Sequence, residues 1–548
     1  MVSAGTVIQD AISASDGSPV KLRAGIFEIT DMLNLDVPLR GAGRNKTWIK
    51  LTADAEAIIH CMRDGFVSDL TLQGPGSGHL FNYARPISGI MMDADNVKAY
   101  TDGETERVDI WDVGHAVEMR DNVWNVRFNQ VHAFNIKKGY VAIPNNCGHV
   151  ILPDGRSLSL TTSAVAGNNY VIVVGTVDVT IGNTIFIKSV NGFEVKTVAS
   201  IPSSTRINLD SNLAYNHPAN YNGANFITHD CWVNYTETEQ PEYGYWIEKA
   251  NAAILHLGQV MNPTVDCVYI GDFAAGVTVI DDCQFDCSRR LALNVRNPVL
   301  NGWLRITGGS FFKGGLSNAS VSGVGGTLPG GGIFLRNLWK TEVADFEVES
   351  LVDTAVFGPV TQPHHVLHAK GCLAISIQGA SRLYGNGDSY DYAVLLEDTT
   401  DSLIGGFFAQ NVASGVVETG ASNRNRITPF GSSGLNAFTS SVNLAGAQSQ
   451  ALYFDHLNNN RLTVKGEFVI EKDLWVLGDD IKLGANSKRP LVNAGSTLVI
   501  NYGDDYSLVQ LRNLENYPDE TLSGTPRICK LWMGGQGYFF KIYPIAGS

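Results

Sequence analysis

Residues 267–297 read CVYIGDFAAGVTVIDDCQFDCSRRLALNVRN, and their spacing decides the fold. CVYIGDF from Cys267 and LALNVRN from Leu291 are short runs of alternating apolar residues that begin 24 residues apart. A second run of this kind, VIDDCQFDC from Val279, lies between them. Alternation with a period of two predicts strands whose successive side chains point to opposite faces. The stretch therefore predicts one repeating unit of short strands, followed by the start of the next unit.

The same unit recurs along the chain. Its first strand is also found as YWIEKAN from Tyr245, GIFLRNL from Gly332, AVFGPVT from Ala355, AVLLEDT from Ala393 and GVVETGA from Gly415. Its second strand recurs as VRFNQVHAF from Val126, LHLGQVMN from Leu255, LRITGGSFF from Leu304 and VADFEVES from Val343. So short a unit cannot bury its apolar side alone, but coils stacked about 4.8 Å apart can. Leucine-rich repeats have a similar period, but their Leu-x-x-Leu-x-Leu frame is absent.

The predicted fold class is all-β: a right-handed, single-stranded parallel β-helix with an inserted small β domain and a C-terminal β-sandwich-like domain. Residues 1–57 form a capping helix and the first strands, and residues 58–147 and 224–433 form the β-helix. Residues 148–223 form the inserted β-barrel or sandwich, because surface turns tolerate insertions. After residue 433 the period fades, and residues 434–548 read as antiparallel strands that serve trimerisation or carbohydrate binding.

Composition excludes several kinds of partner and cofactor. A formal net charge of −14 and the absence of Lys/Arg runs argue against nucleic acid. No stretch approaches the roughly 20 apolar residues of a membrane span. The eight cysteines are scattered without paired spacing, which predicts reduced, buried thiols. No metal or cofactor is predicted, since VIDDCQFDCSRR mixes thiols and carboxylates without a ligand frame.

The N-terminal segment GTVIQDAISASDGSPVKLRAGIFEITDMLNLDVPLRGAGRNKTWIKL, residues 5–51, resembles the opening of pectate-lyase-like β-helices, especially bacteriophage tailspikes. The matching positions are Gly25, Phe27, Ile29, Leu39, Gly41 and Gly43. The resemblance implies a homotrimeric spike of the virion tail that binds and depolymerises a bacterial surface polysaccharide: capsule, exopolysaccharide or O-antigen. It also implies a C-terminal domain that helps trimerisation, and attachment through an N-terminal region or another virion protein.

The first strand of the unit offers a candidate trimer interface. With Val268 and Ile270 pointing inward, one set of large apolar residues points outward and predicts an exposed stripe. The set is Tyr269, Phe334, Phe357, Leu395 and Val417.

The second strand predicts a sugar-binding face. Val131, Val260, Phe285, Phe311 and Val348 are taken as its inward stack. Two outward columns follow: Gln130, Gln259, Gln284, Ser310 and Glu347, and His132, Met261, Asp286, Phe312 and Glu349. Sugars hydrogen-bond to amides and carboxylates and stack on rings. The predicted substrate-binding residues are Gln130, His132, Gln259, Gln284 and Phe312, with Arg289 and Arg290 as groove walls.

Three carboxylates on these columns are the catalytic candidates. Glu347 and Glu349 are two residues apart on one strand, about 6.5 to 7 Å at the backbone, and Asp286 lies two coils away, about 9 to 10 Å. Inverting glycosidases separate their carboxyl groups by about 6.5 to 9.5 Å, which predicts an endo-glycosidase. Two alternatives stay open. One is a lyase that uses Gln130, His132, Gln284, Arg289 or Arg290 against a uronic acid, and the other is a non-catalytic adhesive spike.

Overall fold

The computed structural model divides the chain into two units, Met1–Glu467 and Phe468–Ser548. It describes residues 4–455 apart from 63–64, 77–85, 94–102, 122, 145–146, 154–156, 177–178, 190, 220, 222, 235–240, 274–275, 317–329, 358–363, 380, 387–391, 429, 434–439 and 447. It further describes the backbone of residues 461–465, 497–503, 506–512, 527–533 and 536–542.

Helix α1 (Ala4–Ser13) closes the first coil of the β-helix. Its buried residues Ile8 and Ile12 are four positions apart, so they share the face that meets the coil. Gln9 Nε2 donates to the Asn34 carbonyl at 3.1 Å, and the Asn34 N–H donates to Gln9 Oε1 at 2.9 Å. The helix therefore satisfies backbone groups of strand β3 that pair with no other described strand on that side.

The strands of unit 1 that precede the insertion are β1 (Val20–Lys21), β2 (Gly25–Ile29), β3 (Leu33–Leu35), β4 (Leu39–Arg40), β5 (Thr47–Leu51), β6 (Ala57–Cys61), β7 (Val67–Gln73), β8 (Ser88–Asp93), β9 (Glu104–Arg120) and β10 (Val126–Ile143). The insertion contains β11 (His149–Ile151), β12 (Ser157–Thr162), β13 (Tyr170–Val173), β14 (Thr184–Ser189), β15 (Gly192–Ser200) and β16 (Arg206–Leu209).

After the insertion come β17 (Ala224–His229), β18 (Trp232–Asn234), β19 (Tyr243–Ile247), β20 (Ala250–His256), β21 (Gln259–Met261), β22 (Asp266–Ile270), β23 (Val277–Asp281), β24 (Gln284–Asp286), β25 (Leu291–Thr307), β26 (Ser310–Gly314), β27 (Gly331–Ala344), β28 (Phe346–Ser350) and the short helix α2 (Thr354–Phe357). The remaining strands of unit 1 are β29 (Leu367–Lys370), β30 (Ile375–Gln378), β31 (Ser381–Tyr384), β32 (Tyr392–Glu397), β33 (Leu403–Ile404), β34 (Phe407–Gln410), β35 (Ser414–Thr419), β36 (Arg426–Ile427), β37 (Gly431–Ser433), β38 (Ser440–Asn443), β39 (Gln450–Asp455) and β40 (Arg461–Lys465).

Successive coils pair in parallel to build three sheets around one apolar core. Sheet A contains β3, β6, β8, β19, β22, β29, β32, β35 and β38. Sheet B contains β1, β4, β17, β20, β23, β30, β33, β36 and β39. Sheet C contains β2, β5, β18, β21, β24, β26, β28, β31, β34 and β37. The long strands β7, β9, β10, β25 and β27 bend and contribute to more than one sheet. The predicted all-β parallel β-helix is confirmed.

The insertion is a closed antiparallel barrel with strand order β11-β12-β13-β16-β15-β14. It has its own apolar core, which includes Val150, Val171, Ile187 and Ile207. The coils resume directly after it, because β10 pairs in parallel with β17, β18 and β19. The parallel ladders also pass the predicted boundary at residue 433, since β38 pairs with β35 and β39 with β36.

The predicted exposed stripe on sheet A is wrong, although its direction is right. Tyr269, Phe334, Leu395 and Val417 point outward but are only 1%, 3%, 7% and 4% exposed. Large neighbours on the same side cover them: Tyr269 packs in a separate apolar cluster with Trp246, and the Phe334 ring meets His368 at 5.1 Å. Phe357 ends α2, and its side chain lies outside the described residues.

The described strands of unit 2 form two antiparallel hairpins, β41 (Thr497–Gly503) with β42 (Tyr506–Arg512) and β43 (Arg527–Met533) with β44 (Gln536–Ile542). Within the described residues, no helix has the length and apolar character needed to cross a membrane. All seven described cysteines are free, and five of them are buried.

Candidate functional site

Several of the described coils bend sharply between sheets B and C at a residue with left-handed backbone. Asp230, Leu257, Asp282 and Asp345 occupy this bend with φ between 51° and 56°. The residue two positions after the bend is the first residue of sheet C whose side chain points outward. Gln130, with φ 53°, is the bend residue of its own coil. Gln130 therefore lies in the bend and in neither column of the strand, and its carbonyl accepts a hydrogen bond from Arg44 Nη2.

The outward side of sheet C, here called face C, carries two columns of side chains. Column one is Asp109, His132, Trp232, Gln259, Gln284, Phe311, Glu347, Arg382 and Phe408. Column two is Trp111, Phe134, Asn234, Met261, Asp286, Lys313, Glu349, Tyr384 and Gln410. The structure thus brings the predicted residues His132, Gln259, Gln284, Asp286, Glu347 and Glu349 to one face.

Phe312 is not on face C. It is fully buried and its ring packs 5.4 Å from that of Phe285, whereas Phe311 takes the outward place. The predicted positions of Phe311 and Phe312 are shifted by one residue because the bend of this coil is longer than that of the preceding coil. Asp281 pairs with Thr307 and Gln284 with Phe311, so this coil has one residue more between sheets B and C. Gly308 and Gly309, with φ 73° and 72°, accommodate it.

Gly309 is expected to resist replacement by alanine. Its φ of 72° is left-handed, and a Cβ there would meet nothing closer than Asp282 Oδ1 at 3.7 Å. Space is therefore not limiting, and Gly309→Ala is expected to lower the free energy of unfolding by about 1–2 kcal/mol through backbone strain alone. Gly309→Asn is the matched control, because asparagine tolerates this conformation. Equal unfolding midpoints in denaturant for the glycine and alanine proteins would contradict the expectation.

An ion cluster occupies the two columns around Glu347 and Glu349. Arg382 Nη1 lies 2.9 Å from Glu347 Oε1 and 4.0 Å from Glu349 Oε1, and Lys313 Nζ lies 3.7 Å from Glu349 Oε2. The guanidinium carbon of Arg382 lies 4.9 Å from the centre of the Tyr384 ring. Two carboxylates and two cations therefore meet on three successive coils, with side chains that are 17% to 42% exposed.

Asp286 lies on column two, two coils before Glu349, which is about 9 to 10 Å. Cys287 Sγ donates to Asp286 Oδ1 at 2.8 Å. Burial and then Asp286 raise the pKa of the Cys287 thiol to about 12, so the thiol stays protonated as a donor. Asp286 thus has one fixed partner and a second oxygen for other contacts.

The prediction that Arg290 forms a groove wall is wrong. Its side chain is 2% exposed and donates from Nε to Asp266 Oδ1 at 2.8 Å. Asp266, which is fully buried, also accepts from the Leu291 N–H at 3.1 Å and Asn294 Nδ2 at 2.9 Å. Burial lowers the pKa of Arg290, but the Asp266 carboxylate outweighs it and the net shift is upward. Arg289 is half-buried in the turn before sheet A, where its N–H donates to the Pro263 carbonyl at 3.2 Å.

Amides and aromatic rings extend face C beyond the ion cluster. Gln259 Nε2 donates to Gln284 Oε1 at 3.1 Å, which links two successive coils. Trp232 and Phe408 are 37% and 42% exposed and stand toward opposite ends of column one. The Trp232 ring stacks on His132 with 4.5 Å between centroids.

Several residues of face C were not among the sequence candidates: Asp109, Trp111, Trp232, Lys313, Arg382, Tyr384 and Phe408. A signal for Trp232 exists in the sequence. DCWV at residues 230–233 matches DCQF at residues 282–285, with the bend residue first and a buried cysteine second. An alignment of these two motifs puts Trp232 at the position equivalent to Gln284. Among the described side chains, no group of three or more His, Cys, Asp or Glu residues could hold a metal ion.

No protein-family model and no curated protein match the chain. Solved structures do match. Tailspike protein 3 of bacteriophage CBA120 is 10% identical with a TM-score of 0.43, over 82% of this chain and 58% of that chain. The A-module of mannuronan C-5 epimerase AlgE6 from Azotobacter vinelandii is 12% identical with a TM-score of 0.39, over 82% and 94%. The gp42 tailspike of Acinetobacter phage AS12 is 10% identical with a TM-score of 0.38, over 92% and 68%. Phage tailspikes are thus among the solved structures that resemble this chain in fold.

Proposed function

We propose that face C binds a bacterial surface polysaccharide lengthwise and that the chain cleaves it as a glycoside hydrolase of the endo type. The observation that carries the proposal is the pair of continuous columns on face C. Their side chains repeat at the coil spacing of about 4.8 Å, so an elongated ligand made of repeating units can contact one coil after another. Rings, amides and carboxylates in one groove are the groups that bind sugars.

Glu347 and Glu349 are the proposed acid–base pair, with Asp286 as the alternative partner. In an inverting hydrolysis, one carboxyl group protonates the glycosidic oxygen as its bond to the anomeric carbon breaks. The other carboxylate takes a proton from a water molecule, whose oxygen forms the new bond to that carbon. Arg382 holds both glutamates in place through one guanidinium nitrogen.

A second candidate reaction is β-elimination from a uronic acid polymer. Arg382 and Lys313 support it, because a guanidinium fork and an ammonium beside the glutamates could neutralise a sugar carboxylate. Tyr384, next to Arg382 on face C, is the group at hand for proton transfer. Arg290 is not available for this role, since it is buried in its ion pair with Asp266.

The reaction is tested with purified capsules, exopolysaccharides and lipopolysaccharides from a panel of strains. Hydrolysis is expected to release new reducing ends without ultraviolet absorbance from unsaturated uronate. If this absorbance increases together with the reducing ends, the reaction is elimination and not hydrolysis. If a polymer is bound but never shortened, the protein is a non-catalytic adhesive spike, which is the third possibility.

The homotrimer and the virion tail location are proposed as well. They are supported by the resemblance of residues 5–51 to tailspikes and not by the sheet A stripe, which is buried. Sedimentation equilibrium tests the trimer, and a mass of one 59.2 kDa chain would exclude it.

A further inference from the structure

A second cluster on face C lies toward the N-terminal end of the columns. Asp109 and His132 are neighbours on column one, and Trp232 follows them on the next coil. Arg44 reaches over from the turn between β4 and β5, and its Nη1 donates to His132 Nδ1 at 3.1 Å. Asp109 Oδ1 lies 3.7 Å from both Arg44 Nη1 and His132 Nδ1. Three polar side chains thus converge beneath one tryptophan.

Four buried polar atoms of this cluster make no hydrogen bond within the described part of the chain. They are Asp109 Oδ1, His132 Nε2, Arg44 Nε and Trp111 Nε1. Asp109 is 7% exposed. Buried polar groups in folded proteins are ordinarily paired, so these unpaired atoms, three on two adjacent coils and one on Arg44, point to a binding site for a polar ligand.

The charge state of the cluster favours a neutral ligand. Since Arg44 donates to Nδ1, His132 is neutral and carries its hydrogen on Nε2. Burial and then Arg44 lower the pKa of His132 to about 4, against a smaller raising effect of Asp230. Burial raises the pKa of Asp109, and Arg44 partly opposes this. Arg44, the cation of this cluster, lies beside the Asp109 carboxyl group, which disfavours a phosphate or uronate ligand and suits hydroxyl groups.

Aromatic rings complete the cluster. The Trp232 indole is 37% exposed and lies nearly parallel to the His132 imidazole, with 8° between the planes. Trp111 and Phe134 stack beside it with 4.4 Å between centroids. An exposed indole over hydrogen-bonding groups is the arrangement that takes the apolar face and the hydroxyls of a sugar ring.

We infer that Arg44, Asp109, His132 and Trp232 form a distal subsite for a neutral sugar residue of the polymer that face C binds. The inference rests on the proposed function. Four coil steps separate Trp232 from Glu347 on column one, a distance of about 19 Å, with Gln259, Gln284 and Phe311 between them. A substrate that contacts both ends spans several sugar residues, so the subsite selects long chains over short ones.

The test compares Trp232→Ala with wild type on full-length polymer and on short oligosaccharides prepared from it. The KM for polymer is expected to rise about tenfold, the loss of one aromatic contact, while kcat and cleavage of the shortest oligosaccharides stay unchanged. Trp232→Phe should restore most of the affinity. Trp339→Ala, which removes an indole that is 61% exposed away from face C, is the matched control and should behave like wild type.

Binding is measured separately, by affinity electrophoresis in gels that contain the polymer. An unchanged KM and mobility for Trp232→Ala, in a protein that still cleaves, would overturn the subsite and leave the hydrolase standing. Equal losses on polymer and on the shortest oligosaccharides would also overturn it, since the residue would then act at the reacting sugar. Trp232-dependent binding without any cleavage would retain the subsite and refute the hydrolase.

Discussion

Glu347→Gln and Glu349→Gln are each expected to reduce polysaccharide cleavage by about 10²–10⁴-fold, the contribution of one general acid or base. Glutamine keeps the shape of the side chain and its contact with Arg382, but it can neither give nor take the proton that hydrolysis requires. Binding of the polymer, measured in affinity gels, should persist in both variants. Initial rates of reducing-end release give the comparison with wild type.

Glu342→Gln is the matched control for the two glutamate variants. Glu342 belongs to β27 on sheet B, is 38% exposed and pairs with Lys340 at 2.7 Å. Its replacement removes a similar surface carboxylate without touching face C, so the rate should not change. Asp286→Asn tests the alternative partner in the same assay. Wild-type rates in the Glu347, Glu349 and Asp286 variants together would show that the proposed catalytic group is elsewhere.

Phe312→Ala is expected to destabilise the protein by about 3–5 kcal/mol, the cost of removing a buried phenylalanine from a packed core. The Phe312 side chain is fully buried and packs against Phe285 inside the coils. Phe311→Ala changes the neighbouring residue, which points outward. That variant should unfold within about 0.5 kcal/mol of wild type and should bind the polymer more weakly.

The two phenylalanine variants are compared by chemical unfolding and by affinity gels. Opposite behaviour of adjacent residues follows only if the strand has the register described for face C. A large stability loss from Phe311→Ala with little from Phe312→Ala would mean that the register is shifted by one residue. Glu347 and Glu349 would then need to be reassigned as well, because they pair with this strand.

The coil architecture could be predicted from sequence because its cause is local and repeated. Every unit places alternating apolar residues toward the same interior, so Val260, Phe285 and Val348 were assigned correctly to the core. The inserted barrel could be recognised in the same way, because its strands interrupt the period. Outward positions such as Gln259, Gln284 and Glu347 followed from the alternation.

The errors arose where a partner distant in sequence, or one extra residue, decides the outcome. The arginine pair at 289–290 looks solvated, yet Asp266 on the preceding coil draws Arg290 into a buried ion pair. A single glycine added to the bend turned Phe312 inward. Tyr269 and Phe334 point outward but are covered by neighbours that alternation cannot identify.

The position of the barrel has a consequence for how the chain is made. Strand β10 cannot pair with its partner β17 until the whole insertion between them has been synthesised. At roughly 5–20 residues per second, the ribosome leaves the edge of β10 without a neighbour for several seconds. An open edge of this kind can capture another nascent chain. The barrel has a core of its own. It can therefore fold before β17 is synthesised and lie next to the unpaired edge of β10.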